Sequence, residues 1–121
     1  MSQLLIHRGL AKNNFKENTI TAFRYCFKKK YGIETDIHST KDNKIVCFHD
    51  FNLKGKFKIN KLLKNIKYKE LLKISKRKKR PIPLLSDLIK LSKNKRYLML
   101  EIKPLFNKNN MKVLLKDIKK L

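Results

Sequence analysis

The chain has 121 residues, 41% of them hydrophobic, and sets 32 basic side chains against nine acidic ones for a formal charge of +23. That length and apolar content suit one ordinary domain with a modest core, so residues 1–121 are expected to form a single globular unit. No run approaches the roughly 18 apolar residues needed to cross a bilayer. The N-terminus also lacks the basic start and long apolar run of a signal peptide, so the expectation is no transmembrane segment and a cytoplasmic address.

The charge would ordinarily suggest a polyanion partner, a nucleic acid or an anionic membrane. Against that, the bases are overwhelmingly lysine, are spread along most of the chain and accompany abundant Asn and Ile, a bias that AT-rich coding can produce by itself. We therefore expect no specific nucleic-acid partner. The densest run, KRKKR at 76–80, precedes Pro81 and reads as a solvated loop. Cys26 and Cys47 each lie in an apolar segment and are expected as buried, reduced thiols.

Gln3 to His7 is a short apolar run ending in HRG, which predicts a buried strand entering a functional loop. Ile20, Phe23 and Phe27 are at helical spacing in a predicted helix over 17–30, with Asn18 or Thr19 as its cap. Gly32 to Ile37 and Lys44 to Phe48 are the second and third predicted strands, joined by a polar turn too short for a helical crossover. That pair is therefore antiparallel or irregularly connected. One or two short helices are expected over 60–75, and another after Ser86 as its cap. A fourth strand spans 97–102 and stops before Pro104, and a final helix spans 111–121. Strands interleaved with helices predict an α/β fold with a largely parallel sheet, whose chemistry gathers beyond the C-terminal ends of its strands.

Glu34 and Asp36 are two apart on a predicted strand, so their side chains share one face. Glu101 closes the fourth strand and is followed two positions later by Lys103. Three convergent oxygen ligands suit a hard divalent ion, Mg²⁺ or Ca²⁺, better than zinc. His7 and His49 each close an apolar strand, and imidazole exchanges protons near neutral pH, so one could serve as base and the other as acid. Arg8 and Lys103 add positive charge beside the metal, which suits a phosphate. Asp50 is read as orienting His49 or the adjoining loop rather than reacting. Glu17 and Asn18 either bond across the mouth of the site or simply begin a helix, and His38 is read as a bystander.

Together HRG at 7–9, ENT with AF at 17–23, GIETDIHST at 32–40, HD at 49–50, IPLLSDLI at 82–89 and LEIK at 100–103 resemble the glycerophosphodiester phosphodiesterase family. The resemblance implies a parallel-stranded (β/α)₈ TIM-type barrel, and metal-dependent hydrolysis of glycerophosphodiesters to glycerol 3-phosphate and an alcohol. Carried over by motif, Glu34, Asp36 and Glu101 would ligate the metal, His7 and His49 would be the acid–base pair, and Arg8 and Lys103 would contact the substrate phosphate. A complete barrel needs about 200 residues or more, so this chain is expected to supply about the first half. The expectations are then a half-barrel that pairs as a homodimer or with a separate C-terminal half, or a truncated, non-catalytic remnant.

Overall fold

The computed structural model describes residues 4–10, 15–93, 96–104 and 106–119. Gln3, at the start of the expected first strand, and Lys120 and Leu121, at the end of the expected last helix, lie outside them. Strand β1 (Leu5–His7) leads through a turn to helix α1 (Ile20–Lys28), then to the long central strand β2 (Gly32–Ser39) and to β3 (Ile45–Cys47). Helices α2 (Lys54–Phe57), α3 (Tyr68–Arg77) and α4 (Leu85–Ser92) follow, with a 3₁₀ turn over Leu63–Asn65 between the first two. Strand β4 (Leu98–Ile102) and helix α5 (Lys108–Ile118) complete the order.

Strand β2 organises the sheet. Its N-terminal half pairs parallel with β1 and its middle pairs parallel with β4, in the registers His7↔Glu34 and Asp36↔Glu101. Its C-terminal end pairs antiparallel with β3, Ile37 opposite Cys47. The Arg8 and Phe48 amides donate to the Glu34 and Asp36 carbonyls, whereas the Lys103 amide donates to the Ile37 carbonyl. Carbonyls two apart on a strand point the same way, so β1 and β3 share one edge of β2 and β4 takes the other. Three strands are thus parallel, and the short link between β2 and β3 makes a hairpin, the antiparallel option its length had allowed.

Alternation along β2 divides labour between its faces. Ile33 and Ile37 are fully buried in a core with Phe23, Cys26 and Phe27 of α1, Leu85, Leu88 and Ile89 of α4, and Leu114 of α5. Each such apolar side chain contributes about 1.5–3 kcal/mol by leaving water. Glu34, Asp36 and His38 occupy the opposite face. The same alternation puts Ile45 and Cys47 of β3 in that first core, and sends Val46 and Phe48 into a second, with Leu53, Phe57, Leu63, Ile66, Leu71 and Ile82. The segment between β3 and α4 is folded around this second cluster, where the Phe48 and Phe57 rings stack 5.9 Å apart.

Several element ends differ from the sequence expectation for local reasons. Thr19, not Asn18, caps α1, accepting from the Ala22 amide. Ser86 lies inside α4, whose first turn is closed from within by the Asp87 carboxylate accepting from the Leu84 amide at 3.2 Å. Helix α5 begins at Lys108 because Asn107 and Asn110 bond each other's main-chain amides reciprocally, ahead of the apolar periodicity. Helix α2 was unexpected: it is one turn with a single buried residue, Phe57, too short to leave a periodic signal. Among the described residues no helix is long and apolar enough to cross a membrane.

Cys26 and Cys47 are both buried thiols outside any disulfide, as expected. Burial pushes the Cys47 thiol up to about 12. A buried thiol held protonated in this way is inert. A colorimetric thiol reagent should therefore leave the native chain unlabelled over minutes and titrate both cysteines in denaturant.

Candidate active site

The site is assembled at the end of the sheet where β1, β2 and β4 finish. After His7 the chain turns sharply: Arg8 and Gly9 both have positive φ, 53° and 71°, and the Leu10 amide closes the turn on the His7 carbonyl. Glycine is required at position 9 twice over, since a Cβ there would also lie 2.7 Å from the Phe23 ring. The turn aims the Arg8 side chain back across β2. Its Nη1 donates to both Glu17 oxygens at 3.2 Å, and its Nε lies 3.4 Å from Asp36 Oδ2. The Asn18 amide, in turn, donates to the Arg8 carbonyl. The ENT segment therefore bonds across the mouth and also starts α1.

Glu34, Asp36 and Glu101 each offer a carboxylate oxygen, and the three oxygens lie within 4.8 Å of one another. The parallel register of β2 and β4 is what brings Glu101 beside Asp36. Asp36 is only 1% exposed, and among the described residues neither of its oxygens has a hydrogen-bond donor. A buried anion in that state needs cations, and Arg8 and Lys103, whose Nζ is 3.5 Å from Oδ1, provide them. Lys103 Nζ also meets Glu101 Oε2 at 3.0 Å. The Glu101 carboxyl is held below its usual range by contact with the Asp36 carboxyl first and then by Lys103; Lys103 is raised in return, chiefly by Glu101. Oxygens around Mg²⁺ or Ca²⁺, at about 2.0–2.6 Å from the ion, lie at most about 5 Å apart. The three carboxylates and the bare oxygens of Asp36 fit such an ion.

The two histidines reach the site by different routes. His7 ends β1 directly and sets Nε2 3.8 Å from Glu34 Oε1. His49 arrives because β3 runs backward along β2, returning the chain from the far end of the hairpin to the level of Asp36. Its Nδ1 is 2.8 Å from Asp50 Oδ1, so Asp50 does orient it. All seven residues singled out in the sequence thus come together: His7, Arg8, Glu34, Asp36, His49, Glu101 and Lys103.

Three neighbours escaped sequence reasoning. Lys56, on α2, shares Glu17 with Arg8 at 3.6 Å; in so lysine-rich a chain nothing marks it. Arg80 ends the basic run yet is half-buried, donating to the Glu17 carbonyl at 3.2 Å. Burial lowers its pKa, opposed by Glu17 and Asp50. The run is therefore no plain solvated loop: Lys76 and Arg77 finish α3, and Arg80 steadies the segment that holds Arg8. His38 is likewise no bystander. It is 3% exposed, its pKa is lowered chiefly by burial, and its Nε2 lies 3.1 Å from the His49 carbonyl oxygen.

The profile of the glycerophosphoryl diester phosphodiesterase family matches residues 7–121. The chain belongs to that family. It is 36% identical over 72 residues to a glycerophosphodiester phosphodiesterase of Bacillus altitudinis, and 40% identical over 72 residues to lysophospholipase D GDPD1 of Homo sapiens. Each alignment covers 59% of this chain, but only 29% and 23% of those relatives. A phosphodiesterase structure from Oleispira antarctica, in complex with the product sn-glycerol-3-phosphate, superposes with a TM-score of 0.82 at 22% identity. That match covers 98% of this chain and 52% of the other. The family's fold is the TIM-type (β/α) barrel, and this chain has the architecture of about half of one: parallel strands, helices on one face and the functional residues on the other.

Gly9→Ala should unfold the HRG turn's end of the core. Left-handed backbone costs a non-glycine residue roughly 1–2 kcal/mol, and overlap with Phe23 adds about 1–3 kcal/mol. Thermal or urea melts of the two proteins would measure the loss, and equal midpoints would contradict the conformation assigned to Gly9.

Proposed function

We propose that this chain is the motif-bearing part of a single metal-dependent phosphodiesterase domain that hydrolyses glycerophosphodiesters to glycerol 3-phosphate and an alcohol. The observation that carries this reading is the convergence, in a chain with nine acids, of three carboxylates within 4.8 Å on a sheet face shared with two histidines, an arginine and a lysine. The small-molecule diester is its substrate, and family membership supports that class.

Glu34, Asp36 and Glu101 would hold the divalent ion, Mg²⁺ or Ca²⁺. When bound, it supplies positive charge that offsets charge building on the phosphoryl oxygens. Arg8 and Lys103, fixed by their pairing with the same carboxylates, would bind the phosphate. A planar guanidinium suits two phosphoryl oxygens, whereas the ammonium acts as a point charge. Because Asp50 accepts from His49 Nδ1–H, the Nε2 lone pair of His49 is left to take a proton from the nucleophile, either water or a neighbouring substrate hydroxyl. His7 is 69% exposed, with Nε2 3.8 Å from Glu34 Oε1, and would protonate the departing alcohol.

Release of glycerol 3-phosphate from glycerophosphocholine or glycerophosphoethanolamine tests this. Turnover should require Mg²⁺ or Ca²⁺, stop with chelator, and fall by about 10²–10⁴ in His7→Ala or His49→Ala. Turnover indifferent to chelator and to both variants would sink the assignment, and a folded, metal-binding chain without turnover would favour a non-catalytic module. Metal binding has its own readout. At 100 times its dissociation constant the ion should stabilise the fold by about 2.7 kcal/mol, an upward melting shift that Asp36→Asn abolishes.

A further inference from the structure

His38 is the histidine that the proposed chemistry leaves unused, and it is the most buried of the three. It lies two residues beyond Asp36 on the same face of β2, where β3 pairs with that strand's end. The last ladder bond on the way back runs from the Phe48 amide to the Asp36 carbonyl at 3.0 Å. Beyond it the chain leaves β2, and the half-buried His49 carbonyl has lost its strand partner. A carbonyl in that position has to find a donor elsewhere. His38 Nε2, 3.1 Å away, is that donor, and because a carbonyl only accepts, the proton must reside on Nε2.

The same ring holds the other end of the turn. Phe51 meets it edge-on, with centroids 5.0 Å apart and planes at 87°. One buried imidazole therefore grips residues 49 and 51, by a hydrogen bond at the first and by packing at the second. Between them lies the His49–Asp50 pair. Its 2.8 Å contact joins side chains on adjacent residues, so it depends on the peptide plane that links them. Fixing the His49 carbonyl fixes that plane. The charged groups facing His38 are Asp36 and Lys103, together with His49 itself.

We propose that His38 is a positioning residue that orients the His49 imidazole through the His49 main chain. This inference rests on the phosphodiesterase reading only for its catalytic consequence; the structural link stands apart from turnover. Glutamine places an amide nitrogen the same number of bonds from Cα as His38 Nε2, whereas methionine fills the space without a donor. His38→Met should therefore lower kcat by about 10²-fold, the cost of a misplaced catalytic group, with KM and the Mg²⁺ or Ca²⁺ binding midpoint little changed. His38→Gln should restore most of kcat.

The deciding measurement is NMR of histidine-labelled protein, which needs no turnover. In His38→Met the His49 ring signals should move and the Nδ1 proton shared with Asp50 should exchange faster, while His38→Gln should keep both as in the parent. Parent-like His49 signals in His38→Met would overturn the proposal. So would a His38→Gln variant as perturbed as His38→Met, which would reduce His38 to ring packing, or a kcat loss that merely tracks weakened metal binding. An inactive parent protein with these NMR shifts would refute the phosphodiesterase reading and leave the positioning role standing.

Discussion

The burial of the Asp36 carboxylate governs the rest of the site. An ionised group removed from water is tolerated only where opposite charge replaces the lost solvation, and among the described residues Asp36 has no hydrogen-bond donor on either oxygen. Everything nearby is arranged to supply that charge. Arg8 is bent back over β2 by a turn that only glycine at position 9 permits, and Lys103 follows Glu101 at the end of β4 so that both reach Asp36. The cations are themselves anchored, Arg8 by Glu17 and Lys103 by Glu101. The result is a lattice of alternating charge with a carboxylate cluster at its centre, fixed in place before any ligand arrives.

Strand alternation and pairing direction turn that cluster into a site with a face. Ile33 and Ile37 of β2 point to α1, α4 and α5 and are fully buried, with the hydroxyls of Thr35 and Ser39 on the same face bonded to Asn18 and Asn110, so alternation commits Glu34, Asp36 and His38 to the opposite side. A one-residue slip in the β2–β4 register would send Glu101 to the helical face and destroy both core and site together. The hairpin matters in a different way. A parallel third strand would have left His49 at the far end of a crossover, whereas the antiparallel return places it level with Asp36 and next to the ring of His38.

Much of this was legible in the residues themselves. Apolar runs ended by HRG, HD and LEIK give both the strands and their functional ends, and the two-residue spacing of Glu34 and Asp36 gives their common face. What was hidden depends on contacts between distant segments. Lys56 and Arg80 reach the mouth only after the 51–82 segment folds around its own apolar cluster, and nothing local separates them from the other thirty basic residues. His38 was misjudged for a related reason: its partner is a main-chain carbonyl, which carries no signature in the side-chain sequence. Ser86 falls inside the helix because α4 begins at Leu85, its start held by Asp87 of the first turn accepting from the Leu84 amide rather than by a capping hydroxyl.

The excess of lysine makes the acids the informative residues. Of the nine, Glu17, Glu34, Asp36, Asp50 and Glu101 gather around the site, and Asp42, Glu70 and Asp87 serve local ends, bonding the Tyr68 amide, Lys61 and the Leu84 amide respectively. A compositional drift toward lysine can scatter positive charge anywhere on a surface at little cost, since exposed charges interact weakly through water. It cannot concentrate five scarce carboxylates from four separate segments at one end of one sheet. The positive charge is thus background against which the site stands out, and it also sets the sign of the field around a mouth lined by Arg8, Lys56 and Arg80.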